Sequence, residues 1–142
     1  MGTRSLTVIT DGDCNQEIAV MYKQFDGYPT GHGDELAKFL QGFMVVNGIP
    51  CGAPERMANG ASCLAAQIIA HFKDGAGSIY LYPAGTRDCG DEYVYEVKTM
   101  VGASIHLTVT SGVGVIFDDV IEHWDADYAE QTENKLYEEQ NA

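Results

Sequence analysis

"EYVYEVKTMVGASIHLTVTSGVGVIFDDV", Glu92 to Val120, reads as three β-strands in a row. "EYVYEVKTM" (Glu92–Met100), "SIHLTVT" (Ser104–Thr110) and "GVIFDDV" (Gly114–Val120) are rich in β-branched and aromatic residues, with glycine-bearing connectors between them. Those connectors are only a few residues long, whereas parallel neighbours need a crossover of roughly a dozen residues or more. Antiparallel pairing follows. His106 stands opposite in sense to Ile105, Leu107 and Val109, and is expected to face solvent or a partner.

Upstream, Arg4–Thr10 alternates with Leu6 and Val8 on one side, and "EIAVMYKQF" (Glu17–Phe25) repeats the strand pattern. The connector "DGDCN" has turn chemistry, so the two make a hairpin. Asp11, Asp13 and Asn15 imitate the start of a calcium loop, but Gln16 stands where that loop wants glycine and Tyr22 where it wants a bidentate glutamate. "SIYLY" (Ser78–Tyr82) adds one more strand.

Leu36, Phe39, Leu40 and Phe43 recur at helical spacing behind Asp34 and Glu35, which predicts a helix from about Thr30 to Gly42. Leu64, Ala65, Ile68, Ile69 and Phe72 predict a second helix closing at Gly75, with its start at either Pro54 or the Asn59–Gly60 pair. Val120, Ile121, Trp124 and Tyr128 suggest a C-terminal helix that docks at one end and frays at the other. The fold class is therefore α+β: one domain over 1–124, an antiparallel sheet of about six strands with two inserted helices, and an acidic C-terminal helix or tail over 125–142.

The chain carries a net charge of −13. From Asp118 onward nine acids face Lys135 alone, a net of −8, which leaves −5 for the body. Such a balance disfavours direct binding to DNA or RNA, which depends on Lys and Arg at phosphates. No stretch approaches the roughly 20 apolar residues of a membrane span, and "MGTRSLTVIT" lacks the apolar run of a signal peptide. The cytoplasm is the expected compartment. Cys14, Cys51, Cys63 and Cys89 form no C-x-x-C pair and are expected to be free thiols. His32, His71, His106 and His123 are scattered, so neither a metal nor a cofactor is expected.

The densest chemistry lies in "QFDGYPTGHGDELAKFL", Gln24–Leu40. Tyr28 precedes Pro29 and is pushed to an extended conformation, Thr30 can cap the helix, and Gly31 and Gly33 flank His32. Bare amides at such a helix start would bind an anion. The same glycines would also serve tight packing, with Asp26 and Tyr28 pinning the turn. Arg87, in a turn-rich segment read as a hairpin loop, and Arg4 are candidate phosphate clamps. Tyr80, Tyr82, Tyr93 and Tyr95 are aromatic surface on strands expected to be adjacent, and serve as core or as a stacking platform.

"TRSLTVI" (Thr3–Ile9), "YKQFDGYPTGHGDELAKFL" (Tyr22–Leu40) and "YLYPAGTRD" (Tyr80–Asp88) together resemble a widespread set of small proteins found in phages, prophages and bacteria. Their signature runs Ser/Thr-Arg-Ser, then Tyr-x-x-(Phe/His/Trp)-Asp-Gly-Tyr-Pro-x-Gly-x-Gly before a helix. The matching positions are Arg4, Ser5, Tyr22, Asp26, Gly27, Tyr28, Pro29, Gly31 and Gly33; the acidic tail lies outside the resemblance. The resemblance implies a phage context, in which small proteins often act on host defence by binding. Some, such as the Thoeris anti-defence proteins, sequester cyclic nucleotide signals between subunits, a likeness of class without a shared motif.

Three functions compete. The first is a non-catalytic homo-oligomer that captures a small anionic, nucleotide-like ligand through Arg4, Asp26, Tyr28, Gly31, His32, Gly33, Tyr82 and Arg87. The second is an acidic inhibitor or nucleic-acid mimic acting through the tail on a host protein. The third is a hydrolase or transferase with His32 and Asp26 as acid and base, which requires their side chains to converge.

Overall fold

The computed structural model describes residues 2–48 and 56–141. The chain opens with β1 (Ser5–Asp11) and β2 (Gln16–Lys23), an antiparallel hairpin bulged between Ile9 and Thr10. A π-helical turn, Pro29–Gly33, leads into α1 (Asp34–Leu40). Next come β3 (Met44–Val46) and β4 (Met57–Asn59), a small parallel pair, and then α2 (Gly60–Phe72). The rest is β5 (Ile79–Tyr82), β6 (Tyr93–Thr99), β7 (His106–Ser111), β8 (Gly114–Val120) and α3 (Ala126–Gln140).

The fold is α+β, a six-stranded mixed sheet in the order β5-β2-β1-β6-β7-β8 with three helices. The meander of β6, β7 and β8 is antiparallel, as its short connectors require. The central pair differs from expectation: β1 and β6 are parallel. The reason lies in the segment Pro83–Glu92. Because β5 is antiparallel to β2, and β2 to β1, strand β5 runs the same way as β6, so the chain between them must cross over the sheet. "YPAGTRDCG" is thus a crossover strap, not a hairpin loop.

The strap lies over the face made by Leu6, Val8, Val20 and Tyr22, with Cys89 packed among them. Its pins are polar: the Arg87 guanidinium grips the Glu17 carboxylate at 2.6 and 3.1 Å, and the Gly85 amide donates to the same carboxylate. Arginine beside it holds the Glu17 carboxyl below its ordinary range. The opposite face of the sheet carries the main core, where Ile9, Met21, Tyr95, Val97, Leu107 and Val109 meet Leu36 and Leu40 of α1 and Leu64 and Ile68 of α2.

Asn59 does precede α2, but its side chain accepts from the Gly48 amide at 2.8 Å instead of capping the helix. The alternative start at Pro54, and Cys51, fall outside the described residues. Cys14, Cys63 and Cys89 are free thiols. The C-terminal segment is a docked helix: Ala129 is fully buried, Leu136 packs on the core, and the Tyr93 hydroxyl donates to Glu133 at 2.7 Å. Among the described residues no helix is long and apolar enough to cross a membrane.

Candidate functional site

The turn at Asp26–Gly33 is closed by its own backbone. The amides of Gly31, His32 and Gly33 donate to the carbonyls of Tyr28, Asp26 and Tyr28 at 2.9, 2.8 and 3.5 Å. They are therefore not the bare helix start that the glycines suggested, and Thr30 does not cap. Its hydroxyl instead reaches Glu130 on α3 at 3.4 Å. The glycines answer to space: a Cβ on Gly31 would sit 2.5 Å from the Asp26 carbonyl, and one on Gly33 2.5 Å from the Trp124 ring. The Trp124 indole is held by its N–H to Asp34 at 2.8 Å and cannot yield freely. Gly33→Val should accordingly cost about 2–3 kcal/mol in urea denaturation; unchanged stability would show that Trp124 moves aside.

The turn pushes His32 inward. Its ring is wholly buried between Tyr95 and Phe72, with centroids at 5.0 and 4.9 Å, and Nε2 lies 2.7 Å from the Thr7 hydroxyl. Burial, reinforced by the Lys23 charge, lowers its pKa to about 3. Asp26 points the other way: it is exposed, at φ +60, and accepts from the Tyr28 hydroxyl at 3.4 Å. His32 and Asp26 meet only through backbone, so the acid–base pair expected of them has no geometric basis.

Behind the buried ring, on its Phe72 and Lys23 side, lies a cleft of about 450 Å³ between the end of β2, α1 and α2. Lys23, Lys38 and Arg56 line it together with His71, while Asp26 and Glu35 are the acids at its edge. Rings supply the apolar wall: Phe25, Phe39 and Phe72. His71 stacks on Phe39 at 4.2 Å and 20°, and Lys23 Nζ lies 5.5 Å from the centre of Phe72. Arg56 Nη1 donates to the carbonyls of Phe39 and of Gln41, the latter at 3.0 Å, which fixes the guanidinium at the rim. Three of the eight Lys and Arg residues in a chain of charge −13 thus line one cavity.

Of the residues expected to bind, the structure brings Asp26 to this cleft, with His32 behind its wall and Tyr28, Gly31 and Gly33 shaping the turn beside it. Arg87 and Arg4 lie elsewhere. Arg87 is paired to Glu17 in the strap, and the Arg4 guanidinium lies against Gly90, where a Cβ would be 2.9 Å from Nη1. Tyr82 stacks on Tyr22 at 5.5 Å on the strap face, whereas Tyr93 and Tyr95 face the helices. Strands β5 and β6 are separated by β2 and β1, so the four tyrosines make no common platform.

Sequence reasoning missed Lys23, Lys38, Arg56 and His71. A signal existed for Lys23: alternation along β2 puts it on the same side as the buried Met21, an unusual place for a lysine. A second depression, of about 480 Å³, is lined by Asp118, Asp119, His123 and Asp125 and so repels anions. There His106 and Asp118 pair at 2.5 Å and His123 and Asp119 at 3.0 Å, both exposed. No group of three or more metal-ligating side chains converges among the described residues. No protein-family model, curated protein or solved structure matches the chain.

Proposed function

We propose that the protein is a non-catalytic binding protein that captures a small anionic, nucleotide-like molecule in the cleft between β2, α1 and α2. The observation that carries this reading is the convergence of Lys23, Lys38 and Arg56 with a phenylalanine wall in a strongly acidic chain. Cations that gather against a net repulsive field concentrate anions locally, and flat apolar walls beside them suit a base or other planar group. Capture of a cyclic or other nucleotide signal by a phage-type homo-oligomer in the host cytoplasm is the biological form this takes.

Native mass spectrometry of the protein with a panel of mono-, di- and cyclic nucleotides reads ligand, product and oligomer together. A retained, unmodified nucleotide is expected. The double variant Lys38→Glu, Arg56→Glu should bind that nucleotide about 100-fold more weakly, since two charge-assisted contacts become repulsive. Equal affinity in variant and parent would move the site away from this cleft, and a converted nucleotide would make the protein an enzyme.

A further inference from the structure

Lys23 is the buried cation of the cleft. Its side chain is 10% exposed, at the end of β2, whereas its nearest acid, Glu35 on α1, is 63% exposed and stands 3.5 Å away. A lysine that is nine-tenths buried ordinarily requires a committed counter-ion, because desolvating an ammonium is costly unless it is well paired. Glu35 is a poor one: it is free to leave for water, and its distance lies at the long end of ion pairing. The Phe72 ring, its centre 5.5 Å from Nζ, stabilises a cation without satisfying its hydrogen bonds.

We infer that Glu35 is a resident substitute anion, and that Lys23 is the anchor for a phosphate group that displaces it. This rests on the cleft being the binding site. Charge supports phosphate over a single carboxylate: with Glu35 swung out, Lys23, Lys38 and Arg56 against Asp26 leave a net of +2. A phosphomonoester carries about −1.5 to −2 at neutral pH and offers three acceptor oxygens to three separate donors. The ring wall then receives what the phosphate is attached to. Glu35 sets the affinity of the site by competing for its deepest cation, so an empty cleft keeps its lysine neutralised and only a ligand of higher charge density enters.

The test is calorimetric titration of parent, Glu35→Gln and Lys23→Gln with inorganic phosphate, adenosine 5′-monophosphate and adenosine at low salt, with thermal melts for each. Glu35→Gln should bind both phosphate probes about two- to fivefold more tightly, the size expected on removing an exposed competing ion pair. Lys23→Gln should bind both at least about tenfold more weakly. Adenosine should show neither change. Binding of both phosphate probes identifies the shared group, and a much tighter monophosphate identifies the nucleotide as its source. If the parent binds monophosphate and Glu35→Gln does not tighten it, the competitor role is overturned while the cleft stands. Should neither parent nor Glu35→Gln bind any probe, the anchor and the cleft reading fall together. A Lys23→Gln variant that melts far below the parent is replaced by Lys23→Met, which keeps the packed stem.

Discussion

Acid should destabilise this protein through His32. The ring is buried and neutral, with a pKa of about 3 against an ordinary value of 6.5. The sign follows directly. Above pH 6.5 neither folded nor unfolded chain protonates it, and the group leaves stability unchanged. Between 6.5 and 3 the unfolded chain takes up a proton that the folded chain refuses, so stability falls by up to about 1.4 kcal/mol per pH unit. At pH 4.5 the loss from this residue alone should be about 2.5 kcal/mol. Relief of repulsion in a chain of charge −13 works in the opposite direction, and protonation of Asp118 and Asp119, which their histidine neighbours hold below the ordinary carboxylate range, works in the same one. Comparison with His32→Leu separates these effects, because they are common to both proteins. Urea denaturation from pH 7 to 4.5 should give a steep decline for the parent and a shallower one for the variant. Equal slopes would mean that His32 is hydrated in solution. At pH 7 the variant should itself be destabilised, because Thr7 loses its buried partner.

His32 also marks where sequence reading stops. Two glycines around a histidine indicate a demanding backbone, and that much was legible. Which way the ring points was not, because the direction depends on the receiving hydroxyl of Thr7, 25 residues earlier, and on Tyr95 and Phe72 from other elements. The helices were legible because apolar residues at helical spacing need only local geometry. The meander was legible because connectors of six and two residues leave one option. The parallel pairing of β1 with β6 was not, since it depends on a strap whose pins, Glu17 and Arg87, lie 70 residues apart. The cleft has the same character. Lys23 ends β2, Lys38 lies on α1 and Arg56 stands just before β4, and only the tertiary fold brings them together.

Removal of Asp125–Ala142 should cost on the order of 3–5 kcal/mol or prevent folding altogether. A merely solvating acidic tail would be lost without effect. Here Asp125 accepts from the Tyr128 amide at 3.1 Å and starts the helix, Ala129 is sealed against the core, and Leu136 packs beside it. Two of the acids are tied inward, Glu133 to the Tyr93 hydroxyl and Glu130 to Thr30, while Gln140 donates to the Val113 carbonyl at 2.8 Å. Deletion would uncover the β8 surface on which α3 packs, Phe117 included, and leave the Tyr93 hydroxyl without its carboxylate, with losses of about 1.5–3 kcal/mol for each large side chain uncovered. Thermal melting of the truncated protein checks this, and an unchanged midpoint would return α3 to the role of a passive tail. Loss of an inhibitory activity on deletion would therefore say nothing about nucleic-acid mimicry. Neutralising only the exposed acids does: Asp127→Gln, Glu138→Gln and Glu139→Gln together should leave the fold and the cleft's ligand affinity intact. A host-protein interaction that disappears in this triple variant, with the melt unchanged, would make the outer face of α3 a second functional surface.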